Sequence, residues 1–131
     1  MRGIGMILIV ATLCACQKAK VNKTAQVLTS QSWIIEEIVV NGEDVTSKGY
    51  QEYTFTFQEE ISEVHAVIAS LSTDISGNWE VLVNDKKATL ILKVENPLGT
   101  LTENWLIEKV SKKQVVLSAK NNKKMTFKAI D

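Results

Sequence analysis

Residues 50–58 read YQEYTFTFQ. Tyr53, Phe55 and Phe57 fall on one side of a two-residue period, with Glu52, Thr54 and Thr56 on the other. Such alternation marks a strand with one buried face. The same grammar runs through the chain from Trp33 onward. Residues 32–40 (SWIIEEIVV) stop at the turn pair Asn41-Gly42. Segments 61–70, 77–83 and 88–94 follow; Trp79, Val81 and Val83 share a face, as do Leu90, Leu92 and Val94. Segments 101–110, 114–119 and 124–130 complete the set, separated by ENPLGT, SKK and NNKK. The pattern predicts about eight short strands with no long helical period between them, an all-β chain.

No link between these segments is long enough for a parallel crossover. The simplest arrangement is an antiparallel up-and-down barrel, whose closure removes exposed strand edges. In such a meander, alternate links lie at opposite ends. NGEDVTSKG, LSTDIS and ENPLGT then gather at one end, and the tight links EE, NDKK and SKK at the other. NNKK is short and joins the long-loop end.

The pattern before the first strand is different. Arg2 is followed by an almost unbroken apolar run from Ile4 to Leu13, then by the polar run QKAKVNKTAQ. That is the order of a secretory signal. The run is roughly half of the ~20 residues a spanning helix needs. Residues 17–31 are polar and predict a tether, within which Val27 and Leu28 are expected to form one turn of helix against the domain.

Composition narrows the function classes. The chain has 131 residues, with 15 basic and 15 acidic side chains, so no global field attracts nucleic acid. Its two cysteines, Cys14 and Cys16, both lie in the stretch Leu13-Cys14-Ala15-Cys16. That stretch resembles the bacterial lipobox. The resemblance implies cleavage before Cys16, with a diacylglycerol thioether on its sulfur and an acyl group on the freed amine. Cys14 leaves with the signal, so the mature chain has no disulfide and no cysteine-type metal site. A single acyl chain anchors marginally, at ~0.8 kcal/mol per buried CH₂, whereas two or more anchor durably. The expected organisation is a signal peptide over 1–15, the lipidated Cys16 and linker over 16–31, and a barrel domain over 32–131. Gln17, rather than Asp, follows the cysteine. In lipoproteins of this type that implies the outer membrane, with the domain facing the periplasm.

The barrel segments resemble the lipocalin-like domains of Gram-negative lipoproteins. The matched features are Ser32-Trp33 opening the first strand, Gly77-Asn78-Trp79 opening the fourth, and Trp105-Leu106-Ile107 before Val115-Val116-Leu117 in a late hairpin. The resemblance implies a site for a small apolar or amphipathic ligand, lined by Trp33, Tyr53, Phe55, Trp79 and Trp105. The same rings could equally fill the core, which leaves a protein-interaction module as the alternative.

Candidate chemistry is sparse. His65 is the single histidine and has only Glu63 on its own face, so a metal or catalytic role lacks partners. Glu36 and Glu37 are strand neighbours and face opposite sides unless a bulge intervenes. Glu59 and Glu60 fall in a turn. No nucleotide-binding, nucleophile-elbow, zinc-protease or calcium-loop motif occurs. The reading is a non-enzyme without cofactor or metal, membrane-attached through its N-terminal lipid, with a small hydrophobic ligand or a protein as partner. Lys86-Lys87 and Lys112-Lys113 lie at the tight end, where the anchor leaves, which orients that end toward the bilayer.

Overall fold

The structure is a computed structural model that describes residues 2–130, with side chains from residue 15 onward. Among these residues one helix precedes nine strands. The helix α1 spans Arg2–Ser30. The strands are β1 Ser32–Val40, β2 Glu43–Asp44, β3 Thr54–Phe57, β4 Glu63–Ile68, β5 Thr73–Asn84, β6 Lys87–Val94, β7 Glu103–Val110, β8 Gln114–Ala119 and β9 Lys123–Ala129. Leaving aside the two-residue β2, each strand pairs antiparallel with the next, and β9 returns to β1. The result is the closed eight-stranded up-and-down barrel that the alternation predicts.

Two strands, β1 and β8, have the bounds read from sequence. The segment from Tyr50 differs: Tyr50–Glu52 form a 3-10 turn and pairing begins at Thr54. Gly49, at φ 92, starts that turn in a conformation that other residues resist. The fourth predicted strand begins four residues earlier than expected, at Thr73. Its first half pairs with β4 and its second half with β6. Gly77 lies at the changeover, between Val64 and Val94. A Cβ there would collide with the Lys93 carbonyl oxygen, so the close approach of strands requires glycine.

A bulge interrupts the β1–β9 register between Ile35 and Glu37. It explains why IIEEIVV breaks alternation: the extra residue lets Ile35 and Ile38 both enter the core. Glu36 and Glu37 each take a separate partner. Glu36 accepts from Gln114 Nε2 at 3.1 Å, and Glu37 lies 3.6 Å from Lys124 Nζ.

The N-terminal segment departs most from expectation. Residues 17–30, read as a tether with one helical turn, are helical throughout. Val21, Thr24, Ala25 and Leu28 lie at helical spacing and pack into the barrel, with Thr24 and Leu28 fully buried. The signal-peptide reading and the fate of Cys14 concern side chains outside the described residues. Among the described residues no helix is long and apolar enough to cross a membrane.

Candidate functional site

The barrel has a near end, where β1 begins, and a far end, where β1 runs into the 41–53 link. The helix α1 crosses the near end. Gln17 Oε1 accepts the Ala88 backbone N–H at 2.8 Å, at the start of β6. The Leu28 carbonyl accepts the Trp33 indole N–H at 3.1 Å, at the start of β1. Those two strands stand opposite one another in the eight-membered ring. The eleven helical steps from Gln17 to Leu28 span about 16 Å at 1.5 Å per residue, enough to bridge the opening as a strap.

The far end is closed by its own links. Val45, Leu98 and Leu101 are buried in the same core as Val27 and Leu28. The Leu101 carbonyl accepts the Trp105 indole N–H at 2.9 Å. Lys123 fastens this corner: its Nζ donates to Thr100 O at 2.7 Å, pairs with Glu103 at 3.1 Å, and lies 5.7 Å from the Trp105 ring centroid. The 41–49 link is braced by Asp44, which accepts the Thr46 N–H and hydroxyl at 2.9 and 2.6 Å. Those hydrogen bonds hold the Asp44 carboxyl below its ordinary pKa. Thr46 Oγ1 in turn accepts the Ile38 N–H at 2.9 Å, tying the link to β1.

Each residue named as ligand lining lies in this core. Trp33, Phe55 and Trp105 are at 0% exposure, and Tyr53 and Trp79 are below one tenth. Phe55 and Phe57 meet Phe127 edge to face, at 5.2 and 5.8 Å between centroids. Trp79 stands at 90° to Phe57, 5.7 Å away, and donates its indole N–H to Gln58 O at 3.0 Å. Among the described residues every buried side-chain N or O has a hydrogen-bond partner. Trp79 also borders a cleft on the outer wall of the barrel, and Tyr53 one among the far-end links. Trp79 joins Ser62, Asn78, Glu80, Ile91 and Lys93 around an open cleft of about 390 Å³. Tyr53 joins Lys48, Tyr50 and Leu98 around one of about 160 Å³.

His65 sits on the barrel surface between two carboxylates. Nδ1 is 2.8 Å from Asp74 Oδ1 on β5, and Nε2 is 3.1 Å from Glu63 Oε1 on β4. The Asp74 hydrogen bond is the main reason its pKa is raised above 6.5; partial burial opposes the rise, and the charges of Asp74 and Glu63 add to it. Asp74 escaped sequence reading because it fell in a presumed loop, and only strand pairing brings it beside His65. Both ring nitrogens are engaged, which suits a cross-strand clamp. Because the folded-state pKa is the higher one, the clamp's contribution is complete below about pH 6.5 and is lost as pH rises through the raised value. The imidazole is 23% exposed, so solvent holds the effect to about 1 kcal/mol or less. The expected result is a urea midpoint that falls from mildly acid to mildly alkaline pH. His65→Gln flattens that slope; an unchanged slope would discount the clamp.

No family model matches the chain, and no curated protein matches it. Among solved structures, one described as "NMR structure of the protein from Burkholderia xenovorans" is similar over 82% of this chain and 86% of that one, at 17% identity and a TM-score of 0.47.

Proposed function

We propose that this chain is a lipid-anchored cell-envelope protein whose filled barrel serves as a rigid interaction module. Acyl chains on Cys16, palmitate among them, hold it in the outer membrane, facing the periplasm. The far-end links, braced by Asp44, Thr46 and Lys123, present the surface that meets a partner. The reading assigns no catalysis and no cofactor. One observation carries the choice of module over ligand carrier. The rings that a calyx would expose to its ligand are buried in one core that includes Leu28 and Leu101. An eight-stranded barrel has room for its own side chains or for one small ligand, and the burial of Trp33, Phe55, Trp105 and Phe127 favours the first.

A second reading keeps a ligand and moves it outside. The cleft beside Trp79 has apolar walls from Trp79 and Ile91 and polar groups from Asn78, Glu80 and Lys93. Its size lies at the lower end of small-molecule sites, which start at about 300 Å³. Fluorescence separates the two. Fatty acids and sterol-like probes are expected to leave the emission of Trp79→Phe unchanged, because Trp33 and Trp105 lie within the packed core. A saturable change in that variant would place the ligand inside the barrel and reject the module. A response in the native protein that disappears in Trp79→Phe favours the cleft.

A further inference from the structure

The residue after Cys16 is already docked on the barrel. Gln17 holds the Ala88 N–H, and Cys16 is exposed beside it at the near end. Acyl chains on that sulfur would leave no free linker between lipid and domain, since residues 17–30 are the strap itself. The surface around them suits a bilayer. Beyond Cys16, α1 carries Lys18, Lys20 and Lys23 and no acidic residue. The near-end turns add Lys86, Lys112 and Lys113, all exposed, against Glu59, Glu60 and Asp85. The far-end links carry Glu43, Asp44, Glu52 and Glu95 against Lys48 and Lys120, a mild acidic excess, whereas the near-end turns balance and the strap adds three lysines. Among the described residues four large apolar side chains are exposed: Ile61, Leu71, Val83 and Ile130. Three of them lie toward the near end, and only Leu71 lies at the far end. Ile61, 58% exposed, sits in the 58–62 turn, and Ile130, 44% exposed, follows β9.

We propose that the barrel sits flush on an anionic bilayer, near end down. The outer face of α1 and the 58–62, 85–86 and 111–113 turns form the contact surface. The proposal rests on acylation at Cys16, which fixes that end beside the lipid. Lysines within a Debye length of anionic headgroups are attracted to them, and Ile61 and Ile130 add apolar contact at the interface. A long flexible tether would let the domain tumble; a strap docked at its first residue restricts it to one orientation.

The test uses the full lipidated chain in phosphatidylcholine vesicles with and without phosphatidylglycerol. With Cys16 acylated, an introduced cysteine is the only thiol of the mature chain. A fluorophore is placed on Ile61→Cys or on Leu71→Cys, both solvent-facing positions that spare the core. Headgroup-bound nitroxide lipid is expected to quench the label at 61 several-fold more than at 71, with a larger ratio when phosphatidylglycerol is present. A flexible glycine-serine insert between Cys16 and Gln17 lowers that ratio while the protein still floats with vesicles. Equal quenching at both positions in a floating protein overturns the seating alone. A protein that fails to float overturns the anchor and the seating together.

Discussion

Cys16→Ser is expected to abolish incorporation of labelled palmitate, and Cys14→Ser to leave it intact. The asymmetry follows from chemistry and position. A thiolate is the nucleophile in sulfur alkylation, and a serine hydroxyl is a far weaker one. Under the lipobox reading Cys14 departs with the signal, whereas Cys16 becomes the first residue of the mature chain. Each buried CH₂ is worth about 0.8 kcal/mol, so the loss of two or three acyl chains removes durable attachment. Cys16 is exposed, so its substitution leaves the core intact. The unfolding midpoint of Cys16→Ser is therefore expected to match that of the parent chain once both are freed of lipid. Palmitate on Cys16→Ser, or an unmodified native chain by intact mass, would end the anchor proposal.

The largest stability effect is expected at Trp33. Its ring is fully buried at the near end, where β1 pairs with both β3 and β9. Its indole N–H is the bond that holds the end of the strap. Trp33→Ala leaves a cavity and costs about 3–5 kcal/mol. It also leaves the Leu28 carbonyl without this partner, which adds a penalty of about 1–3 kcal/mol if no water reaches it. That sum is a large share of the 5–15 kcal/mol that holds a typical domain. Trp33→Phe keeps most of the volume and loses the hydrogen bond, so its loss is smaller. Urea unfolding followed by circular dichroism gives the order native, Phe, Ala. Hydrogen exchange of amides 21–28 is expected to quicken in Trp33→Phe before the sheet loosens. Equal protection there in both proteins would show that the strap does not depend on this contact.

The strap matters for function because it changes what an acylated Cys16 would do. A polar tether would let the barrel sample all orientations above a membrane. Under the proposed acylation, a docked helix would hold the attachment point at one place on the surface, near Ala88. In the proposed seating the far-end links, held in shape by Asp44 and Lys123, would face away from the lipid.

The sequence by itself determined the strand count, the meander and the closure. Those follow from local facts: two-residue alternation in YQEYTFTFQ, turn residues at short intervals, and links too short for anything but antiparallel neighbours. The acylation proposed at Cys16 also starts from the sequence alone, because LCAC is a contiguous motif. Only the tertiary structure decided the rest. The strap was missed because Val21, Thr24, Ala25 and Leu28 make a weak apolar stripe among lysines, and a short amphipathic segment gains its stability from the barrel it covers. The partners of Glu36 and Glu37 depended on a bulge, and those of His65 on a register, neither of which is local. The use of the aromatics depended most on closure. Alternation places Trp33, Phe55 and Trp105 inside, but whether an interior is filled or hollow is set by the sum of volumes from every strand and both end caps, a quantity that belongs to the assembled barrel and to no single segment.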